Sequence, residues 1–209
     1  MNIRRKICRE IIEELLISRV KTEREYTKIV KKIVKKYNLP ELPKKIDILR
    51  YCNAIERRKL RKILTTKPVR TASGVAIVTV VAKPAPCPGT CIYCPRGINA
   101  PQSYTGLEPA IQRAIRNDYD PYKQVIDRLN QYYLTGHPTD KIDVIILGGT
   151  FTALPVAYQV WFVKRIFDAL NGKDSKTLEQ AQKLNESAKH RCVGITIETR
   201  PDFCKEKHI

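Results

Sequence analysis

The chain has 209 residues, enough to bury a core and to hold one domain with a smaller appendage. No apolar run reaches membrane-spanning length and the first residues lack the layout of a secretory signal, so the reading is a cytoplasmic protein with no membrane partner. Seven cysteines are an odd count, and 39 Lys and Arg against 21 Asp and Glu give a net charge of +18; together these weigh against a disulfide-stapled secreted domain and toward a polyanionic partner.

The charge is unevenly spread. Residues 1–70 hold 22 basic and 8 acidic side chains, a net +14, and residues 71–209 hold 17 and 13, a net +4. Because phosphates dominate nucleic-acid affinity through counterion release, a basic segment of this kind predicts a nucleic-acid partner, the alternative being a merely solvated helix face.

The basic segment has a helical pattern. Ile7, Cys8, Ile11, Ile12, Leu15 and Leu16 recur at helical spacing, with Arg4, Arg5, Lys6 and Arg9 on polar positions. Thr22 with Glu25 three residues later predicts a capped start for a second helix, which carries Tyr26, Ile29, Val30, Ile33 and Val34 on one face and Lys28, Lys31, Lys32, Lys35 and Lys36 on the other. "NLPELPKK" ends it, and a third helical region follows over "RYCNAIERRKLRKILTT". Apolar stripes of this kind must pack on something, so residues 1–68 are expected to form a folded basic helical module. Cys8 and Cys52 are expected there as small buried residues.

From about residue 69 the pattern is α/β. "GVAIVTVVAKP", "KIDVIILGGT" and "RCVGITIETRPD" are β-branched, nearly continuous apolar runs, expected as strands buried on both faces. Helical patterns separate them: "KQVIDRLNQYYL", then "AYQVWFVKRIFDAL" and "TLEQAQKLNESAK", with Trp161 and Phe162 expected as core. Strands spaced by helices predict parallel βα units over residues 69–209.

In parallel sheets the chemistry gathers beyond the carboxyl ends of the strands. Cys87, Cys91 and Cys94 follow the first strand, Gly148, Gly149 and Thr150 the second, and Glu198, Thr199 and Arg200 the third. Three clustered thiols suit either zinc, with a fourth ligand from a distant residue such as His137, or an iron-sulfur cluster with one iron left open. For Glu198 and Arg200 the alternatives are contact with a ligand or an ion pair tying the third strand to its loop.

The cysteine spacing in "CPGTCIYC", with Tyr93 just before the last cysteine, resembles the radical S-adenosylmethionine (SAM) signature. That resemblance implies a partial (βα) barrel and a 4Fe-4S cluster held by Cys87, Cys91 and Cys94, whose open iron chelates SAM and whose electron releases a 5'-deoxyadenosyl radical. It further implies that Tyr93 lines the adenine, and that Gly148, Gly149 and Thr150 hold the methionine amino group.

Longer blocks, among them "KPVRTASGVAIVTVVAKPAPCPGTCIYCPRG" and "LTGHPTDKIDVIILGGTFTALP", resemble the catalytic subunit of Elongator in an archaeal or bacterial form. This implies modification of the tRNA wobble uridine to 5-carboxymethyluridine from acetyl-CoA, with tRNA on the basic helices and Lys141 touching acetyl-CoA. On its own pattern Lys141 reads as a solvated lysine at a strand start. The resemblance also implies that the chain is the leading part of such an enzyme, covering the first half of the barrel without the acetyltransferase domain, and lacks full turnover alone.

Overall fold

A computed structural model describes residues 3–208. The chain divides into two units. One comprises the described residues up to Ser73 together with Gln131–Pro138, and the other Gly74–Asn130 with the residues from Thr139 onward. The expected division lay between residues 68 and 69. Segment 131–138 goes with the helices because its backbone and side chains bond there: Thr65 Oγ1 donates to Gly136 O at 3.0 Å, and Thr71 Oγ1 lies 2.9 Å from His137 Nδ1.

The helical unit is built from α1 (Ile3–Ile17), α2 (Glu23–Lys36), α3 (Lys45–Arg50) and α4 (Ala54–Leu64). Its core is the set of stripes legible in the sequence, with Ile7, Cys8, Ile11, Ile12 and Leu15 of α1 fully buried against Val30, Ile33, Leu49 and Leu64. The capping box at Thr22 and Glu25 forms as expected. The third helical region is α4, and α3 is a short further helix just before it that was not expected. Asn53 opens α4, its side chain accepting from Glu56 N at 2.9 Å while the Glu56 carboxylate accepts from Asn53 N at 2.8 Å. A second capping box thus sets where α4 begins. Cys8 is buried as expected; Cys52 is only half-buried, because it sits in the break before that cap.

Glu56 ties two helices together. Arg9 grips it with both guanidinium ends, at 2.8 and 2.9 Å. Those hydrogen bonds hold the Glu56 carboxyl below the usual glutamate range, outweighing its burial. A depressed carboxylate stabilises the fold above its unfolded value, roughly pH 4, and the contribution is lost as pH falls through the folded value. Glu56→Ala is therefore expected to cost about 1–2 kcal/mol near neutrality, the gap from the parent closing below roughly pH 4. Chemical denaturation of both proteins across that range measures it.

The sheet unit holds β1 (Ala76–Val81), α5 (Pro109–Arg116), α6 (Pro121–Thr135, whose last turn belongs to the helical unit), β2 (Lys141–Leu147), α7 (Val156–Asn171), α8 (Leu178–Asn185) and β3 (Arg191–Ile197). The strands form one parallel sheet in the order β1-β2-β3, with Val78 opposite Val144 and Val144 opposite Ile195. The fold class is the expected one: a basic helical module followed by parallel βα units.

Burial differs from the expected pattern. Ala76, Val78 and Val80 of β1 and Ile142, Val144 and Ile146 of β2 are fully buried on one face. On the other face Val81 and Leu147 pack with Ile111 and Ala114 of α5 near the carboxyl ends, while Ile77 is 44% exposed. β3 is mostly exposed or half-buried, Val193 reaching 55% exposure, since it forms an edge of the sheet. β1 is the opposite edge, and side chains complete it: Arg113 donates to Thr79 O at 2.8 Å, while Gln124 accepts from Val81 N at 2.9 Å and donates to Val81 O at 3.0 Å. Backbone groups without a neighbouring strand are satisfied in this way instead of being buried unpaired.

α7 corrects another expectation. Phe162 is buried, whereas Trp161 is 42% exposed and leans on Tyr158 with ring centroids 5.5 Å apart. Consecutive helical residues point about 100° apart, so the two cannot share one buried stripe. Asp168 of α7 is fully buried; Lys164 and Arg165 meet it at 2.7 and 3.1 Å, and Ser175 N donates to it at 2.9 Å. Burial alone would raise that carboxyl, but these partners more than offset it and hold it low.

Candidate cofactor and metal site

The carboxyl end of β1 is prolonged by Ala82, whose N–H donates to Leu147 O at 2.8 Å, and by a proline-rich lead of Pro84, Pro86 and Pro88 around Cys87. Fixed φ angles limit the freedom of the loop and aim the thiols before anything binds them. Cys94 N donates to Cys91 O at 3.3 Å, and the chain then folds back, Gly97 N donating to Tyr104 O at 3.0 Å. A Cβ at Gly97 would lie 2.2 Å from Thr105 O, so this return requires glycine.

The other two strand ends close the space. After β2, Gly148 lets the backbone pass Ala82, whose Cβ would lie 2.8 Å from an added Cβ, and Gly149 adopts φ 69°. Thr150 is buried and is followed by the fully buried Phe151, which anchors the turn. After β3, Glu198 N donates to Ile146 O at 3.0 Å, and Thr152 Oγ1 fastens the next loop through Thr199 Oγ1 at 2.5 Å and Phe203 O at 2.7 Å.

Together they line one cavity of about 470 Å³, with Cys87, Cys91, Tyr93 and Cys94 on one side and Gly149, Thr150, Glu198 and Arg200 on the others. Its size is that of a small-molecule cofactor site. Of the residues singled out from the sequence, Gly148 supports the wall without lining it, and Lys141 lies elsewhere. Lys141 starts β2, beside Arg191 in the neighbouring strand, at the amino end of a strand whose other end reaches the cavity. Six residue steps separate it from Leu147, about 20 Å of strand.

All three cysteines are free thiols and half-buried. Burial raises the Cys87 thiol, but a contact from Thr150 Oγ1 at 3.2 Å, the Gly89 N–H at 3.4 Å and the nearby Arg200 guanidinium more than reverse this and favour the thiolate. Arg200 Nη1 lies 3.9 Å from Cys91 Sγ. It crosses so close to Gly89 that an added Cβ there would sit 1.3 Å from Nη1. Glu198 and Arg200 do not pair with each other: Arg200 binds Asp202 at 2.9 Å through both Nε and Nη2, and Glu198 accepts from Tyr104 OH at 2.7 Å. Tyr93 stands at the mouth of the cavity with 83% of its surface exposed, leaving a ring face uncovered.

The donor set fits an iron-sulfur cluster. Three soft thiols surround one open space. Among the described residues no three His, Cys, Asp or Glu side chains converge as ligands of one metal ion. The candidate fourth ligand for zinc, His137, is buried and its Nδ1 is engaged by Thr71.

Sequence reasoning missed Gln102, Ser103 and Tyr104, which also line the cavity. It also missed α5, although Pro109 at the first helical position was a legible start signal. No local pattern marks Ser103 or Tyr104, whose partners are brought in by loop return and by a strand far along the chain.

The chain is similar to known proteins. Residues 4–72 match the family described as the ELP3 N-terminal domain. The tRNA uridine(34) acetyltransferase of Methanocaldococcus infernus is 54% identical over 173 residues, 80% of this chain and 32% of that protein. Elongator complex protein 3 of Schizosaccharomyces pombe is 41% identical over 221 residues, 99% of this chain and 41% of that protein. A solved structure of M. infernus Elp3, lacking residues 1–46, superposes with a TM-score of 0.50 at 44% identity, covering 65% of this chain and 25% of that one. The resemblance to the catalytic subunit of Elongator is thus borne out, and the chain spans about a third of the length of the archaeal relatives it matches. No helix among the described residues is long and apolar enough to cross a membrane.

Proposed function

We propose that this chain is the cofactor-binding and RNA-binding portion of a tRNA-modifying transferase that acts on the wobble uridine by radical SAM chemistry. The observation that carries the reading is the convergence of Cys87, Cys91 and Cys94 with the turns after all three strands on one cavity. A 4Fe-4S cluster bound there would supply the electron that cleaves SAM to a deoxyadenosyl radical.

The protein's own residues have separable tasks. The three cysteines hold the cluster. Gly149 and Thr150, in a turn that brings backbone close to the cavity, receive the methionine end of SAM, and the exposed Tyr93 ring offers a face for its adenine. Glu198, oriented by Tyr104, accepts hydrogen bonds from the ligand, and Arg200, its charge shared with Asp202, closes the cysteine loop. tRNA binds the lysine face of α2, and acetyl-CoA is the co-substrate. Lys141, remote from the cavity, remains available to a phosphate of acetyl-CoA, for which an ammonium is suited.

The test is anaerobic reconstitution with iron and sulfide, followed by SAM. About four irons per chain, a spectrum of the reduced protein that changes when SAM is added, and deoxyadenosine release that rises with tRNA are expected. Stoichiometric zinc without sulfide overturns the reading, and release indifferent to tRNA moves the enzyme to another substrate.

A further inference from the structure

Each cysteine sulfur has a polar neighbour supplied by a different part of the chain: Thr150 Oγ1 at Cys87, Arg200 at Cys91, and Ser103 Oγ at Cys94, the last at 3.2 Å. Ser103 is the unexpected member. Its backbone is held at φ 81°, a region that serine seldom occupies, and its N–H donates to Pro95 O at 3.2 Å. A strained non-glycine residue pointing its side chain at a ligand atom is where a functional constraint is expected.

We infer that Ser103 is a positioning residue of the metal centre, its hydroxyl donating to the Cys94 sulfur and raising the reduction potential of the bound cluster. This rests on the reading that Cys87, Cys91 and Cys94 hold an iron-sulfur cluster. The direction of the bond follows from chemistry: a sulfur bound to iron has lost its proton, so the serine hydroxyl must be the donor. A donor at a ligand sulfur stabilises the extra electron of the reduced state, because the positive end of its dipole faces the added charge. The same bond fixes the Cys94 side chain against the returning loop, between the turn at Cys91–Cys94 and Tyr104, whose phenol reaches Glu198.

The experiment compares the reconstituted parent with Ser103→Ala, Ser103→Gly and Ser103→Asn, measuring iron content and the midpoint potential by redox titration followed by electron paramagnetic resonance. Ala and Gly both remove the hydroxyl, but only Gly relieves the backbone; Asn tolerates the left-handed conformation and keeps a donor. The expected result is a shift of the potential to more negative values in Ala and Gly alike, with Asn near the parent. Iron lost from Ala and Gly but kept by Asn supports the positioning role as well. Unchanged potentials in Ala and Gly, a shift in Ala alone, or loss of iron from Asn along with the others overturns it. A parent protein that takes up no iron and sulfide sinks the underlying cluster reading instead, and is recognised before any variant is measured.

Discussion

With Cys91 replaced by Ala, the anaerobically reconstituted protein is expected to lose most of its iron and sulfide while its helical circular dichroism stays that of the parent. Among the described residues the three thiols are the only cysteines lining the cavity, and the remaining free cysteines lie outside it, so no neighbour can take the vacated place. A cluster held by two thiolates leaves two irons without protein ligands, where the parent leaves one. The fold has no comparable stake in this residue. Cys91 is half-buried in a surface loop and is not one of the buried hydrophobic residues, so its truncation removes a ligand without opening a core cavity. Iron, sulfide and zinc analysis of the two proteins side by side decides the matter. Retention of the full iron content by the variant would mean that other side chains hold the metal, and the SAM reading of the cavity would fall with it.

The second large effect is expected on RNA binding. Lys28, Lys31, Lys32 and Lys35 are exposed along α2, while the fifth lysine of that face, Lys36, is already paired with Glu10 at 2.7 Å and leans on the Tyr37 ring. Replacing the four by Gln keeps good helix formers and leaves the buried stripe of Tyr26, Val30, Ile33 and Val34 untouched. If each lysine releases about one counterion from the RNA, the slope of log affinity against log salt becomes about 3 units shallower. Between about 50 and 200 mM salt that amounts to a difference on the order of 50-fold in how far affinity falls. Filter binding or fluorescence anisotropy with tRNA over that range measures it, with urea denaturation as the control for folding. An unaltered salt slope would place the RNA on another surface and reduce α2 to a solvated helix face.

Both predictions use features that can be read from the order of the amino acids, and the reason is that those features are local. The capping box at Thr22 and Glu25, the stripes of α1 and α2, and the three β-branched runs each depend on residues within a turn or a strand of one another. The short helix α3 escaped because its six residues are too few to show a helical period. The surplus burial expected of β3 and Trp161 failed for a different reason. An apolar run states what could be buried, while the number of neighbouring strands and helices decides what is.

The sequence by itself determined the class of the protein: a basic helical module, parallel βα units, and a trio of thiols just beyond the first strand. The tertiary structure alone decided who meets whom at the site. It gave Tyr104 to Glu198, brought Arg200 to Cys91 and Ser103 to Cys94, and left Lys141 at the far end of its strand. Such pairings depend on strand register and on how loops return, and both arise from the whole packed arrangement, so no spacing within a short window encodes them.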